Sequence, residues 1–145
     1  MSIWFREYSL DEINGMARGT IHEPLGIRFT EIGEDYLVAT MPVDHRTFQP
    51  MGLLHGGASV LLAESLGSIG ALMIVNPEQQ FPVGLEVNAN HIRAVRDGTV
   101  TASARPVHLG KTTQVWETRV LDDKGRLVCV SRLTIAILDK TVEFV

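Results

Sequence analysis

The chain has 145 residues, 45% of them hydrophobic, which is enough apolar side chain for one packed core and predicts a single domain over residues 1–145. Its 13 Lys and Arg stand against 17 Asp and Glu, a net charge of −4, which excludes a general nucleic-acid binder held by phosphate contacts. The single cysteine, Cys129, excludes an internal disulfide and a paired-cysteine metal site, and fits a reducing compartment.

The first ten residues carry Arg6 and Glu7 and lack an apolar run of signal-peptide length, so the expected location is the cytoplasm, with no membrane partner. Ser9 and Glu12 match a capping box, and Leu10, Ile13, Met16 and Ala17 recur at helical spacing up to Gly19, predicting a short first helix. Ile27–Thr30 and Tyr36–Met41 are rich in strand formers, and Gly33-Glu34-Asp35 between them has turn chemistry, so they read as a hairpin. Pro42 to Gly52 shows no periodicity and is expected to be a loop. From Gly57 to about Met73 the apolar residues cover most of a helical circumference, which predicts a buried central helix. Glu64 and three serines within Ala58–Val75 make it a poor membrane span. Past Asn76-Pro77, four segments have strand composition: Val83–Val95, Thr99–Leu109, Thr112–Leu121 and Arg126–Leu138. The turns at Asp97-Gly98, Gly110 and Asp123-Lys124-Gly125 are short, so each strand is expected beside the next, antiparallel. The fold class is α+β, an antiparallel sheet of these strands curling around one hydrophobic helix, because each can bury its apolar face only against the other. The last strand is apolar on both faces, which leaves its second face for another subunit.

The densest chemical signal runs from Gln49 through Leu54-His55-Gly56-Gly57 into the apolar helix. A helix N-terminus offers unpaired N–H groups and partial positive charge, and glycine lets a developing oxyanion approach the backbone, so Gly56 N–H is a candidate oxyanion donor. The plainer alternative is two glycines that permit a tight helix entry. His55 offers a hydrogen bond to an acyl oxygen or a clamp on its own loop. Glu64 is the stronger anomaly: burying an unpaired carboxylate costs several kcal/mol, and no Lys or Arg lies between Gly57 and Val75 to neutralise it. It is either a catalytic carboxylate or half of an ion pair formed with another element. Ser68 follows one turn later on the same face, and Gln49 offers a neutral donor and acceptor near the helix start. Val83, Leu85, Val87 and Ala89 are expected to share one strand face with His91 and Arg93. With Arg96, Arg105, His108 and Lys111 these form a positive cluster that suits a ligand bearing several phosphates, or is solvated surface.

Three segments together carry a resemblance: Gln49-Pro50-Met51-Gly52-Leu53-Leu54-His55-Gly56-Gly57, Ala63-Glu64-Ser65, and Gly84-Leu85-Glu86-Val87-Asn88-Ala89-Asn90-His91. The chain resembles the PaaI-like hot-dog thioesterases from about Ile3 to Leu138, including Gln114-Val115-Trp116 and Ser131-Arg132-Leu133-Thr134. The resemblance implies a hot-dog fold, a six-stranded antiparallel sheet wrapped around a central helix, and hydrolysis of an aromatic acyl-CoA. The best match is with the members that act on 1,4-dihydroxy-2-naphthoyl-CoA in menaquinone synthesis. It further implies a homotetramer, a dimer of hot-dog dimers, with each site shared between two subunits. Glu64 would be nucleophile or general base, Gly56 the oxyanion donor, Gln49 and His55 the groups that orient thioester and water, and Ser68 the support of that water. Gly84, His91-Ile92-Arg93 and the turn His108-Leu109-Gly110-Lys111-Thr112 would hold the pantetheine and phosphates of CoA. No metal and no cofactor beyond the CoA of the substrate is implied, and no nucleic acid. The same residues fit a proofreading hydrolase of misacylated aryl carrier protein, or a housekeeping acyl-CoA hydrolase. A non-catalytic acyl-CoA-binding module would keep the basic residues but have no need of Glu64.

Overall fold

The structure, a computed structural model, describes residues 1–141. Helix α1 (Leu10–Met16) begins at Ser9, whose hydroxyl accepts the Glu12 N–H at 3.1 Å. The return half of the capping box does not form. The Glu12 carboxylate instead pairs with the Arg6 guanidinium, because a charged donor outcompetes one backbone N–H. The hairpin forms as β1 (Arg28–Ile32) and β2 (Leu37–Pro42), and the loop after it leads to α2 (Gly56–Ile74). Then come β3 (Gln80–His91), β4 (Thr99–Leu109), β5 (Thr113–Leu121) and β6 (Leu127–Asp139).

These six strands make one antiparallel sheet in the order β1-β2-β4-β5-β6-β3. Period-two alternation turns Leu37, Ala39 and Met41 inward from β2, Val100, Ala102 and Ala104 from β4, and Trp116 and Val120 from β5. Helix α2 packs on that face, with Ala58, Leu62, Leu66, Ala71 and Met73 buried in the core they share. By length and composition α2 also passes as a membrane span, but half of that window is buried inside the fold. Two glycines set its closeness to the sheet. A Cβ on Gly67 would stand 2.8 Å from Leu133 Cδ2, and one on Gly70 2.5 Å from Trp116 Cη2, so the helix backbone rests on the indole. Trp116 is fully buried, donates Nε1–H to Gln114 Oε1 at 2.9 Å, and stacks on Trp4 with centroids 6.3 Å apart.

The structure corrects the sequence reading in four places. Strands β3 and β4 are not neighbours: β3 pairs with β6 at the sheet edge, and residues 92–98 cross the end of the sheet to reach β4. Strand β3 stops at His91, so Ile92 and Arg93 lie beyond it, tied to Val128 O by their N–H groups at 2.8 and 3.3 Å. A β-bulge between Gly84 and Glu86 inserts Leu85, which breaks the shared face and leaves Leu85 64% exposed while Val87 and Ala89 pack on the core. Finally, α2 is not buried all round: Leu61, Glu64, Ser65, Ser68, Ile69 and Leu72 form a half-exposed stripe. The outer face of β6, including Val130, Ala136 and Leu138, is likewise half-exposed.

Gly70→Ala is expected to lower stability by about 1–3 kcal/mol, since the added methyl overpacks a rigid indole. Urea denaturation should show a lower midpoint at unchanged m-value.

Candidate functional site

The mouth of α2 is built by its preceding loop. His55 N–H donates to Thr47 O, Leu54 N–H to Val95 O and Gln49 N–H to Leu53 O, each at 2.8 Å, while Gly52 turns the chain at φ +72°. Asp44 anchors the start of this loop through Arg46: Oδ1 accepts Arg46 N–H at 3.0 Å, and the guanidinium reaches Oδ2 at 2.7 Å. The side-chain hydrogen bond from Arg46, then its backbone N–H, hold the Asp44 carboxyl down at about 2. Gln49 Oε1 accepts the Met51 N–H, which leaves the Gln49 amide N–H groups as donors.

His55 is the N-cap of α2, and its Nδ1 accepts the Gly57 N–H at 2.8 Å. A ring nitrogen accepts only when unprotonated, so the neutral ring carries its proton on Nε2, which is then a donor. Gly56 N–H, in the first turn of the helix, makes no hydrogen bond within the described residues. A Cβ at Gly56 would lie 2.8 Å from Nε2 of the exposed His91 ring, so the helix mouth meets the end of β3 here and the ring would have to give for any side chain at 56. Together Gln49, Gly56, Ser59, His91, Ile92 and Arg93 line a groove of about 340 Å³. This groove joins an unpaired N–H, a partial positive charge and basic side chains, which suits a ligand with a carbonyl oxygen and phosphates.

Glu64 opens into a second cleft of about 290 Å³, shared with Ile21, His22, Leu61, Ser68 and Ile69. It is half-buried rather than buried, and no ion pair or hydrogen bond engages it among the described residues. The satisfied ion pair, the alternative left open by the sequence, is absent among the described residues. A Cβ at Gly84 would stand 3.0 Å from Glu64 Oε1, so the carboxylate rests on the backbone of β3 beside the bulge. Gly84 therefore contacts the carboxylate of this cleft, whereas the expected role was with pantetheine. Ser68 lines the cleft one turn after Glu64, while Ser65 spends its hydroxyl on Leu61 O at 2.7 Å.

One chain does not bring every expected residue together. Glu64 lies eight residues beyond Gly56, about 12 Å along the helix axis at the standard rise. The His108 to Thr112 turn meets β6 at Ile137, whose N–H donates to Thr112 O, whereas His91 pairs with Cys129. Those β6 positions are about 26 Å apart at roughly 3.3 Å per residue, so this turn and the His91–Arg93 segment occupy opposite ends of the sheet. Arg105 leaves the expected positive cluster altogether: it pairs with Asp35 at 2.7 Å and lies over the Tyr36 ring. Among the described residues, no group of three or more His, Cys, Asp or Glu side chains is placed to hold a metal ion. Sequence reasoning missed His22, which no spacing marks and which a loop alone carries to Glu64.

Comparisons with known proteins identify the relatives of this chain. The family model described as Thioesterase superfamily matches residues 51–129, which span both the helix mouth and Glu64. The 1,4-dihydroxy-2-naphthoyl-CoA hydrolase of Escherichia coli is 54% identical over 94% of this chain and 99% of that protein. A proofreading thioesterase EntH of Cronobacter turicensis is 48% identical over 94% of this chain and 98% of its own length. The crystal structure of a mutant thioesterase from Pseudomonas aeruginosa superposes with a TM-score of 0.94 at 50% identity, covering 95% of this chain and 99% of that one.

Because the folded Asp44 carboxyl sits at about 2, below its unfolded value of 3.8, its contribution to stability is present above 3.8 and is lost as pH falls toward about 2. Arg46→Ala should raise the Asp44 pKa toward the ordinary carboxylate value, read by NMR titration of the Asp44 carboxyl carbon.

Proposed function

The chain belongs to the thioesterase superfamily, and from that premise we propose that this thioesterase hydrolyses an aromatic acyl-CoA, 1,4-dihydroxy-2-naphthoyl-CoA being the first substrate to test. The observation that carries the reading is Glu64: a carboxylate without partner among the described residues, in an apolar cleft, resting on the strand whose far end touches the helix mouth. Glu64 attacks the thioester carbon or takes a proton from the attacking water, with Ser68 holding that water. Gly56 N–H and the helix dipole stabilise the negative charge that develops on the carbonyl oxygen. His55 Nε2–H and the Gln49 amide orient the thioester. The carbon–sulfur bond then breaks and the thiolate leaves with its CoA, taking up a proton that comes from the water consumed; where Glu64 is the nucleophile, the acyl group stays on it as a mixed anhydride, which that water hydrolyses to the free acid and the regenerated carboxylate. The chemistry proposed needs no cofactor beyond the CoA of the substrate. His91, Ile92 and Arg93 of one subunit, with the His108 to Thr112 turn of the other, are proposed for the CoA phosphates and pantetheine.

The site is proposed to be composite. A reacting carbon has to lie about 3 Å from both nucleophile and oxyanion donor, which the spacing of Gly56 and Glu64 along one helix forbids. Edge strand β3 supplies a way out. Gly84 touches Glu64 and His91 touches Gly56, so two copies of β3 paired antiparallel about Val87 and Asn88 set the helix mouth of one copy against Glu64 of the other. We propose the homodimer on this ground, with two dimers meeting through outer sheet faces as a homotetramer. Location in the cytoplasm is proposed as well, supported by the buried free thiol of Cys129. The proofreading relatives favour a second substrate, an aryl group misloaded on a carrier protein. Turnover of free aryl-CoA against loaded carrier decides between them.

Glu64→Ala is expected to lower kcat by about 10²–10⁴-fold with little change in melting temperature. Full activity in that variant overturns the assignment. Gly56→Pro occupies the first helical position, where the proline backbone fits, requires the exposed His91 ring to swing aside, removes the oxyanion donor and should cost about 10²–10³ in kcat. Co-refolding the two inactive variants in equal amounts should restore about a quarter of wild-type activity, because half of the dimers are mixed and each mixed dimer holds one intact site. No recovery, with mixed dimers verified, overturns the composite site.

A further inference from the structure

Two serines of α2 stand in contrast. Ser65 spends its hydroxyl proton on Leu61 O, one turn back. The Ser59 hydroxyl does not do the same, and it makes no hydrogen bond among the described residues. The carbonyl one turn back from it, His55 O, already accepts the N–H groups of Ala58 and of Ser59 itself, at 3.0 and 3.3 Å. Ser59 is nonetheless only 1% exposed, and it lines the helix-mouth groove. Among the described residues, the one buried side-chain nitrogen or oxygen sealed from water without a partner is His22 Nε2. The unpartnered Ser59 oxygen is therefore not sealed, and an oxygen entering the groove reaches it. Packing on the sheet asks only for a small side chain at 59, which alanine supplies with better helix propensity and no hydroxyl to desolvate. The hydroxyl is the part that packing leaves unexplained, and the chemistry proposed above does not use it.

We infer that Ser59 is a further catalytic residue: its hydroxyl donates to the carbonyl oxygen of the bound thioester, beside Gly56 N–H, and stabilises that oxygen as it becomes an oxyanion. The inference rests on the thioesterase reading of the site. Ser59 follows Gly56 by three residues, so the two share a helical face, about 4.5 Å apart along the axis. Helical side chains tilt toward the N-terminus, which carries the hydroxyl back toward the mouth. One oxygen about 3 Å from each donor then meets both the Gly56 N–H and the Ser59 O–H. Among the described residues, no acidic side chain lines this groove. Donors without a carboxylate favour an oxygen that gains negative charge. Both donors belong to one rigid helix, so neither has to move when the charge develops.

Ser59→Ala removes the hydroxyl and little else. With benzoyl-CoA as substrate, kcat should fall about 10²-fold, with a much smaller effect on KM. Two unreactive ligands separate contact with the carbonyl from a structural role. Phenacyl-CoA carries a ketone and no bond to hydrolyse, and phenethyl-CoA has a methylene in place of that ketone. By calorimetry, Ser59→Ala should weaken phenacyl-CoA by roughly three- to tenfold and leave phenethyl-CoA within about twofold. The infrared stretch of the ¹³C-labelled ketone should lie at lower wavenumber in wild type than in the variant, because a donor at the oxygen weakens the C=O bond. The inference is overturned, with the thioesterase reading intact, if Ser59→Ala keeps the wild-type kcat, weakens both ligands by one common factor, or leaves the ketone stretch unmoved. Wild type that neither hydrolyses benzoyl-CoA nor binds phenacyl-CoA takes down the aryl-CoA reading and the inference together. Should Ser59→Ala not fold, Ser59→Cys keeps the side-chain shape with a weaker donor and is held to the same three readings.

Discussion

The contact on which the rest depends is that of α2 with the indole of Trp116. Glycine at 67 and 70 lets the helix backbone lie directly on the ring, and the ring is held at its edge by its hydrogen bond to buried Gln114 and stacks on Trp4. This contact fixes the height and rotation of α2 over the sheet. Once these are set, Gly56 is delivered to the end of β3 at His91, and Glu64 to the bulge at Gly84. The geometry of the candidate site is thus a consequence of core packing several residues away, in a close-packed interior that transmits small shifts rather than absorbing them.

Local signals made much of this fold legible in the sequence. Ser9 caps α1 as its spacing requires, Thr99–Leu109 forms a strand over the expected bounds, and the apolar run after Gly56 becomes the central helix. The order of strands was hidden, because the short turn at Asp97-Gly98 looks like a hairpin. The neighbour of β3 is instead β6, at the edge of the sheet opposite β1. The bulge at Leu85 was hidden for a related reason: an inserted residue shifts the side-chain period without changing composition. Helical periodicity likewise overstated the burial of α2, since Leu61, Ile69 and Leu72 are apolar but cover a face that a single chain leaves half open.

The candidate site was legible where chemistry and spacing coincide on one element. Gln49, His55 and Gly56 meet at the helix mouth, and Glu64 with Ser68 shares a helical face. The part played by His55 depends on which nitrogen faces Gly57 N–H, a matter of loop geometry that residue type does not encode. His22 is a clearer case still. Its position beside Glu64 comes from the path of the segment between α1 and β1, and its tautomer from a hydroxyl two residues back. Neither leaves a pattern in the sequence.

The separation of Gly56 from Glu64 bears on β3, one of the two edge strands of the single chain. Eight helical residues turn the second group about 80° away from the first as well as about 12 Å along, so no bend of one side chain unites them. Yet each group is fastened to β3, one at His91 and the other at Gly84, with Val87 and Asn88 midway between. An edge strand seeks a partner to satisfy its free backbone groups, and an antiparallel copy of itself exchanges the two ends of the strand. The hydrogen bonds that close the edge would then be the same interactions that complete the site. A mutation weakening self-association at β3 would cost activity without touching any residue that meets the substrate.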